Sequence, residues 1–409
     1  MEKEILLLTT IYPLPDSSNV GTPVCHYFTK EWVKMGYNVQ VIHIQAVYPF
    51  FLYWIAKLCS KFIRAKTGEI VYTKKDKEAV DYWMDNVHVH RVPTFKVFPH
   101  RKFTKKSITK LKRYVDMLSE NMPEKRFDCA VGHFTNPVLE ILSYIKQQCG
   151  TKTALVLHSS GIEIKTIYKG QYQAYFEDID VWGYRSQPIQ QRFEHIFGKM
   201  RRTFMCYSGI PHTYILSQQK EFETPITKFV FLGSLFKLKN VSTILNALKL
   251  AYTGAQFELK IIGEGAELSK LKQKSIALGI NDCVQFMGRL PRQDAQKVLS
   301  ESDCFVMVSS PEAFGLVYLE AMANGCITIG SKGEGIDGVI KHGENGFLCV
   351  PGDASSLAQL ILEIKNLSLT EIKQISNNAV KTAEQLTDTL VAHRYLDSIF
   401  PDSEIATYK

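Results

Sequence analysis

The chain has 409 residues, of which 45% are hydrophobic and 22% are charged, so it is globular in composition and too long for one ordinary domain. The apolar run Val47–Ala56 has ten residues, about half of what a bilayer needs, so we expect no membrane-spanning helix, and the first residues lack the basic start and long apolar stretch of a signal peptide. The net charge of +8 arises in the first part of the chain, because residues 1–225 carry +10 and residues 226–409 carry −2.

The nine cysteines form no Cys-x-x-Cys pair, and most of them lie in strand-like runs. An odd number of cysteines without metal-site spacing favours small buried hydrophobic residues in a reducing compartment. We therefore expect a cytoplasmic protein.

Strand-like runs alternate with polar helical stretches along the whole chain. The first half contains the runs Glu4–Thr10, Asn38–Ile44, Val87–Val92, Cys129–His133, Ala154–Ser159, Val181–Arg185 and Thr203–Tyr207. The second half contains the runs Phe229–Gly233, Phe257–Gly263, Val284–Gly288, Cys304–Ser310, Ile327–Gly330 and Phe347–Val350. Apolar strands separated by helices are typical of parallel sheets that are covered on both faces. The sequence therefore predicts an α/β protein with two doubly wound, Rossmann-like domains, whose ligands bind in the cleft between them.

Residues 309–331, SSPEAFGLVYLEAMANGCITIGS, carry the most informative pattern in the chain. Leu316–Ala323 is rich in strong helix formers, and Gly325 suits the left-handed position that follows the end of a helix. Apolar runs with β-branched residues flank this helix. The segment therefore predicts a strand, a loop, a helix and a second strand in succession.

The start of the predicted helix suits a phosphorylated ligand. The N–H groups near Phe314, Gly315 and Leu316 have no helical partner and lie at the positive end of the helix dipole. Gly315 lets a ligand approach the backbone, and Glu320 can accept hydrogen bonds from two ribose hydroxyls. Glu312, in the preceding loop, is placed to meet a sugar. The spacing alone leaves open that Glu312 is a solvated loop charge and Glu320 an exposed helix residue.

Glu312–Asn324 resembles the Glu-x7-Glu signature of the retaining glycosyltransferases of family 4, usually written E-G-F-x-x-x-x-L-E-A-M-A-x-G, although Ala313 replaces the common Gly. The resemblance extends from Gly233 to residues 342–353 and is weaker in the first half of the chain. It implies the GT-B fold. In that fold we expect an acceptor-binding domain in residues 1–217, a nucleotide-sugar-binding domain in residues 218–386, and a helix in residues 387–409 that crosses back to the first domain.

The resemblance also implies which residues meet the diphosphate of the donor. Lys239 matches a family lysine that neutralises this leaving group, whereas Ser234 stands where the family has an arginine. Stabilising the charge of the departing diphosphate is a large part of such catalysis. Lys237 and Arg185 are the candidates to replace the missing arginine.

Four further residues take roles from the resemblance. Gly21 lies in a loop after the first strand, where the family commonly has a Gly pair that closes over the phosphates. His158 ends a strand and corresponds to a histidine beside the donor sugar, and His133, which ends the preceding strand, is a less specific candidate. Arg289 follows a strand at the point where the family's backbone pairs with the nucleobase. A surface loop at Gly21 and structural roles for the histidines remain the alternatives.

The chemistry that the resemblance implies is transfer of a sugar from an NDP-sugar, in the first place a UDP-sugar, with retention at the anomeric carbon. We assign catalytic roles to Glu312, Lys239 and His158. We expect neither a cofactor nor a metal ion, since the helix dipole and Lys239 supply positive charge. The diphosphate itself takes the acceptor proton, so no protein nucleophile is named.

Two basic segments of the first half contain no acidic residue. Lys96–Arg113 has eight Lys or Arg residues, and Phe50–Lys66 combines aromatic and aliphatic residues with four cations. Aromatic and cationic surfaces suit an anionic membrane, and about 1 kcal/mol per cation holds a protein there. The same charges can instead solvate helices or bind nucleic-acid phosphates. We expect membrane binding and no nucleic-acid partner, because a membrane surface fits a lipid-linked glycan acceptor.

The sequence thus predicts a glycosyltransferase that is peripheral at the inner face of the cell membrane and extends a surface polysaccharide or a lipid-linked glycan. Two rival interpretations remain open. One is a catalytically silent GT-B binding subunit, for which Ser234 is the best argument. The other is a UDP-sugar epimerase or hydrolase on the same fold.

Overall fold

The computed structural model describes residues 3–15, 23–56, 79–99, 101–252, 254 and 257–401. Within them the chain forms two sheets, and both faces of the first sheet are buried. Ile5 and Leu7 join one core cluster, while Leu6 and Leu8 of the same strand join the other. Because successive side chains of a strand point to opposite faces, helices must cover the sheet on both sides.

The first sheet contains β1 (Glu4–Thr9), β2 (Asn38–Val47), β3 (Val80–Met84), β4 (Val87–Phe95), β5 (Cys129–His133), β6 (Lys152–Leu157), β7 (Val181–Tyr184) and β8 (Thr203–Met205). The strand order is β3-β4-β2-β1-β5-β6-β7-β8, and all pairs are parallel except β3 with β4. The helices of this domain are α1 (Val24–Lys34), α2 (Lys105–Glu120), α3 (Val138–Cys149), α4 (Ile162–Tyr168), α5 (Tyr172–Glu177) and α6 (Gln187–Phe197).

The second sheet contains β9 (Lys228–Leu232), β10 (Glu258–Ile262), β11 (Val284–Gly288), β12 (Cys304–Val306), β13 (Ile327–Ser331) and β14 (Phe347–Cys349). Its order is β11-β10-β9-β12-β13-β14, with every pair parallel. The remaining helices are α7 (Val241–Ala251), α8 (Leu268–Ala277), α9 (Arg292–Glu301), α10 (Leu316–Ala323), α11 (Ala354–Lys365), α12 (Leu369–Glu384) and α13 (Asp388–Ile399). The predicted fold class, two doubly wound Rossmann-like domains, is confirmed.

Two details of the predicted strands are wrong. The run Cys304–Ser310 forms a strand only as far as Val306, because the backbone then turns to other partners. Val308 O accepts a hydrogen bond from Asn240 Nδ2 at 2.8 Å, and Ser310 N donates to Leu238 O at 2.9 Å. The edge strand β3 was not predicted, since its alternation is weak and most of its residues are exposed.

The last helix, α13, packs on the first domain although it follows the second in sequence. Trp32 Nε1 of α1 donates to Ala392 O of α13 at 3.2 Å, and Tyr395 packs edge-on against Trp32 at 5.0 Å between ring centroids. At the crossing, Asp388 N donates to Ile210 O at 2.8 Å. A Cβ on Gly209 would lie 2.5 Å from the backbone of Asp388, so glycine is required for this close approach.

Candidate active site

A cavity of about 360 Å³ lies between the two domains. Its wall includes Tyr27, His158, Arg185 and Ser208 from the first domain, and Gly233, Ser234, Lys239 and residues 312–317 from the second. His158 and Arg185 follow the ends of β6 and β7, and Gly233 follows the end of β9. The cavity therefore lies where the carboxyl ends of both parallel sheets meet, the usual ligand position in such folds.

The phosphate-binding turn predicted from the sequence forms part of this cavity wall. Gly315 caps α10 with φ 81°, and a Cβ there would lie 2.5 Å from the ring of Tyr318, so a side chain is excluded. Among the described residues, none accepts a hydrogen bond from the amides of Phe314, Gly315 and Leu316. These three amides at the positive end of α10 can therefore donate to an anionic ligand in the cavity.

Lys239 and Glu312 meet in the same cavity. Lys239 Nζ lies 2.6 Å from Glu312 Oε2, and the two side chains are largely shielded from solvent. Ser309 Oγ donates to the same oxygen at 3.0 Å. Asn240, the residue after the lysine, has φ 52° and precedes the first residue of α7. Lys239 therefore lies immediately before the start of this helix. The pair places one cation and one carboxylate beside the free amides of α10.

Glu334 supports the loop that carries Glu312, and the sequence did not indicate it. Its Oε2 accepts from Glu312 N at 2.9 Å and its Oε1 from Ser310 Oγ at 2.8 Å. Arg192 of the first domain donates to Gly333 O at 2.6 Å, next to this carboxylate. A Cβ on Gly335 would lie 2.3 Å from Phe314 N, so the flanking glycine lets the two loops touch. A buried carboxylate flanked by two glycines, Gly-Glu-Gly, was the available signal.

Glu320 forms a second ion pair, with Arg292, and its carboxylate is shielded from solvent. Its Oε1 accepts from Arg292 Nη2 at 2.9 Å, and its Oε2 accepts from Gln296 Nε2 at 3.1 Å. Arg292 Nη1 also donates to the hydroxyl of Tyr27 in the first domain at 2.8 Å. Burial opposes the charge of Arg292, but the carboxylate of Glu320 and the hydroxyl of Tyr27 outweigh it, so the pKa of Arg292 is raised. Arg292 thus links Glu320 to the opposite wall of the cleft.

His158 and His133 form a neutral pair in the first domain. His133 Nδ1 lies 3.0 Å from His158 Nε2, and His133 Nε2 lies 3.2 Å from the hydroxyl of Tyr395. Burial, and then the charge of Arg185, lowers the pKa of His133 to about 3. Burial, then His133 and Arg185, also lowers the pKa of His158 well below its ordinary value. The pair therefore stays uncharged at neutral pH, with one ring nitrogen donating to the other.

Arg185 lines the cavity, whereas Lys237, the other candidate to replace the missing arginine, is exposed and does not. Arg185 Nη1 donates to Cys206 O at 2.6 Å, Nη2 contacts Ser208 Oγ, and the guanidinium lies 5.4 Å from the ring centre of Phe314. It brings a positive charge from the first domain to the turn at Phe314. Ser234 also lines the cavity.

One predicted donor residue does not line the cavity, and another cannot be compared with it. Arg289 is exposed and does not line it. The nearby Arg292 meets Glu320 instead, because α9 begins at residue 292 and turns that side chain toward α10. Gly21 lies outside the described residues.

The one carboxylate triplet of Asp-x-Asp type in the first domain, residues 178–180, is structural. It precedes β7 and so lies at the edge of the sheet opposite the cleft. Asp180 accepts from Lys146 Nζ at 2.8 and 2.9 Å and from Thr153 N at 2.8 Å. It lines a hollow of about 800 Å³ on that side, which none of the predicted site residues reaches.

A second cavity, of about 300 Å³, adjoins His158 on the first domain. Its polar wall includes Lys96, Thr135, Asn136, Ser159 and Glu163. His158 lines both this cavity and the cleft. Asn136 Oδ1 is buried and, among the described residues, has no hydrogen-bond partner. A ligand with hydroxyl groups can satisfy such an atom.

Aromatic side chains are exposed beside this second cavity. Phe50 and Trp54 are 75% and 62% exposed, and Phe95 and Phe98 are also exposed. They lie together because β2 and β4 are paired in parallel and Val47 is opposite Phe95. The exposed side chains among residues 50–56 and 95–99, with the basic helix α2, form what we term the basic aromatic surface; residues 57–66 of the predicted membrane segment lie outside the described residues. None of the described helices has the length and apolar content that crossing a membrane requires.

The fold and the cleft together define the GT-B class. Residues 215–382 match the family model described as "Glycosyl transferases group 1". The match covers nearly all of the second domain, including the Lys239 turn, Glu312 and Glu320.

Individual proteins agree with this match. The chain is 33% identical over 135 residues to N-acetyl-alpha-D-glucosaminyl L-malate synthase of Bacillus anthracis, covering 33% of this chain and 35% of that protein. It is 26% identical over 245 residues to the lipopolysaccharide core biosynthesis glycosyltransferase LpsE of Rhizobium meliloti (strain 1021), covering 56% and 67%. The chain thus spans about a third and about two thirds of the lengths of these two curated relatives.

Among solved structures, the chain resembles HepE of Anabaena in complex with UDP and glucose. The TM-score is 0.66 over 97% of this chain and 99% of that one, with 17% sequence identity. At this identity the likeness establishes the fold, and the predicted GT-B architecture is confirmed in both domains.

Proposed function

We propose that the protein is a retaining glycosyltransferase (EC 2.4) of family 4 that moves a sugar from a UDP-sugar to a glycan acceptor. The observation that carries the proposal is the Lys239–Glu312 pair, 2.6 Å apart, beside the free amides of α10 in the cavity between the domains. A diphosphate requires donors and cations, and a sugar requires hydrogen-bond acceptors. The cavity offers both kinds of group, because Lys239 and the amides of residues 314–316 can donate and the carboxylate of Glu312 can accept.

The diphosphate of the donor binds at the start of α10. Amides 314–316 donate to its oxygens, and Lys239 neutralises the charge that develops as it leaves. Arg185 supplies the second cation from the first domain. It takes the role of the family arginine, whose position is occupied by Ser234 in this chain. Glu320 accepts from the ribose hydroxyls, and these hydroxyls then compete with Arg292 for its carboxylate.

The transfer itself needs no protein nucleophile. The acceptor oxygen bonds to the anomeric carbon on the face from which the diphosphate departs, and the bond from that carbon to the diphosphate oxygen breaks. The acceptor proton passes to the departing diphosphate, so UDP leaves and the configuration is retained. Glu312 holds sugar hydroxyls and Lys239, while the neutral imidazole of His158 bonds to the sugar without adding charge.

The acceptor binds in the cavity of about 300 Å³ beside His158. Its polar groups suit the hydroxyls of a glycan, and His158 stands between this cavity and the cleft. The relative LpsE is named for lipopolysaccharide core biosynthesis, and the acceptor we infer is a lipid-linked or surface-polysaccharide precursor.

The basic aromatic surface brings the protein to such an acceptor. Lys96 and Pro99 line the acceptor cavity, while Phe95 and Phe98 of the same segment are exposed. Aromatic side chains insert at the headgroup boundary and cations bind anionic headgroups. We therefore place the protein peripherally at the cytoplasmic face of the membrane, with the acceptor cavity at the lipid surface.

The experiment is a thermal-shift panel of UDP-, GDP- and ADP-sugars, followed by transfer assays with the stabilising donor and a lipid-linked glycan. We expect a UDP-sugar to raise the unfolding temperature, and nuclear magnetic resonance of the product to show the anomeric configuration of the donor. The proposal fails if no nucleotide sugar stabilises the protein and Glu320→Ala changes nothing.

Product analysis without acceptor separates the rivals. A hydrolase releases free sugar and an epimerase changes the sugar of the donor, whereas a transferase leaves most of the donor intact. A silent binding subunit binds the donor but turns it over neither with acceptor nor without it. We expect the divalent-metal chelator EDTA to leave the transfer rate unchanged.

A further inference from the structure

The hairpin of β3 and β4 carries a cluster that takes no part in the proposed reaction. Asp81, His88 and His90 each offer one ligand atom, and these atoms lie within 4.8 Å of one another. In the antiparallel register Asp81 is opposite His90, and His88 lies two residues away on the same face of β4. The three side chains therefore point together toward α2, away from the cleft.

The hydrogen bond of His90 Nε2 determines which ring nitrogen carries the lone pair that can bind a metal. Gln40 Nε2 donates to Met122 Sδ at 3.6 Å, so its Oε1 is the atom 3.1 Å from His90 Nε2 and accepts that nitrogen's proton. The lone pair of His90 is then on Nδ1, which faces Asp81 Oδ1 at 3.2 Å. A backing group that fixes the tautomer of a histidine is the usual support of a metal ligand.

The spacing fits a tetrahedral ion. Two ligands at ~2.0–2.1 Å from zinc stand about 3.3 Å apart, close to the 3.2 Å between Asp81 and His90. The ring of His88 lies 4.1 Å from that of His90, and His88 is partly exposed, so its ring can turn to complete the set. The hydroxyl of Tyr114 lies 3.3 Å from both Asp81 Oδ1 and His90 Nδ1 and supports the pocket from α2.

We propose that Asp81, His88 and His90 bind one Zn²⁺ ion, with water in the fourth position. Two imidazoles and one carboxylate favour zinc over magnesium or calcium, which prefer oxygen ligands. The site is independent of the transferase proposal.

The ion would fasten the outer strand of the first sheet. At the turn of the same hairpin, Asp85 Oδ2 lies 2.9 Å from His26 Nε2 of α1, and α1 begins at the cleft cavity. A zinc ion that joins β3 to β4 would therefore stabilise the hairpin that contacts α1, and α1 forms part of the first-domain wall of the cavity. Sequence patterns did not indicate the site, because Asp81 and the two histidines belong to different strands and match no zinc motif.

The test uses tag-free, metal-stripped full-length protein titrated with Zn²⁺ in a calorimeter, and with Co²⁺ while the visible absorbance is recorded. We expect one equivalent to bind and the Co²⁺ spectrum to be that of a tetrahedral site. Asp81→Asn and His88→Gln should each weaken binding at least tenfold. The matched control is His393→Gln, which removes an exposed imidazole from α13 and should bind as the parent does.

Trp83 gives a readout at the site itself, because its ring stacks on His88 at 4.5 Å between centroids. Bound Co²⁺ should quench its fluorescence, and the quenching should disappear in Trp83→Phe. Zn²⁺ should raise the unfolding temperature of the parent and of His393→Gln but not of Asp81→Asn or His88→Gln. Equal Zn²⁺ affinity in all four proteins, or a parent that takes up no equivalent, overturns the proposal.

Discussion

The two walls of the cleft are built in different ways. The wall of the second domain consists of residues close in sequence, Glu312 to Glu320, with Lys239 and Arg292 paired to its two carboxylates. The wall of the first domain consists of strand ends far apart in sequence, where the neutral imidazoles of His158 and His133 lie near the cation of Arg185. The second-domain wall is lined mainly by charged groups and helix amides, whereas the first-domain wall combines uncharged hydrogen-bonding groups with the cation of Arg185.

This difference matches the two ligands of the proposed reaction. A diphosphate leaves with negative charge, so the wall that meets it needs cations and helix amides. An acceptor glycan offers hydroxyl groups, so the wall that meets it needs groups that form hydrogen bonds with them. The four predictions that follow test whether each wall has the role assigned to it.

The largest effect is expected at Lys239. Lys239→Met removes the cation beside the free amides of α10, so we expect kcat to fall about 100- to 1000-fold, as when one electrostatic group at a leaving oxygen is lost. Initial rates of UDP release with a saturating acceptor measure it. The matched control is Lys237→Met, two residues away and exposed. If both variants lose activity equally, or neither does, the charged wall has been assigned wrongly.

The basic aromatic surface should bind anionic membranes. Replacing Lys105, Lys106 and Arg113 by Gln removes three exposed cations of α2. Because each cation contributes about 1 kcal/mol, we expect binding to anionic vesicles to weaken roughly a hundredfold. Flotation of the protein with phosphatidylglycerol vesicles measures the loss. The control replaces Lys270, Lys272 and Lys274 of α8 in the same way. Equal flotation of the two triple variants would contradict the assignment.

The neutral imidazole pair of the first domain should make the free energy of unfolding depend on pH. The pKa of His133, about 3 in the folded protein, lies below the unfolded value near 6.5. The unfolded state therefore binds a proton that the folded state lacks, and stability falls as the pH drops from 6.5 toward 3. This group contributes about 1.4 kcal/mol per pH unit, or roughly 2 kcal/mol between pH 6.5 and 5.

Urea unfolding at pH 6.5 and 5 measures this loss. His133→Gln should lose about 2 kcal/mol less than the parent over the interval, because glutamine does not titrate. His393→Gln, which removes an exposed imidazole from α13, should lose as much as the parent. An unchanged slope in His133→Gln would show that the imidazole pair is not held neutral.

The smallest effect is expected at Glu320. Glu320→Gln keeps the shape but removes the charge that binds the ribose hydroxyls, and a hydrogen bond to a charged group contributes about 1.5–3 kcal/mol. Part of this is offset because the charge of Arg292 is then released, so we expect UDP to bind roughly tenfold more weakly. Calorimetry measures the affinity. Glu301→Gln, an exposed change on α9, should bind UDP as the parent does.

Most of the charged wall could be predicted because its information is local. Leu316–Ala323 has the propensities of a helix, and the observed α10 has the same bounds. Two residues that support its carboxylates were not predicted. Arg292, which pairs with Glu320, and Glu334, which accepts a hydrogen bond from Glu312 N, reach the site through the packing of α9 and of the loop after β13.

For the imidazole pair of the first-domain wall, less could be predicted from the sequence than depended on the tertiary structure. His133 and His158 were visible as strand-end residues, but their mutual contact depends on the pairing of β5 with β6, and their neutrality depends on burial under α13. The zinc cluster depends in the same way on the register of β3 with β4, and β3 was not predicted.

The sequence by itself determined the class of fold and the turn at Glu312–Glu320, because the apolar period of the strands and the propensities of α10 act over a few residues. The tertiary structure alone decided which charges pair, which imidazoles lose their protons, and that Arg185 rather than Lys237 faces the cavity. Those outcomes depend on burial and on distances of a few ångströms between segments far apart in the chain, and both arise only when the two domains and α13 have packed together.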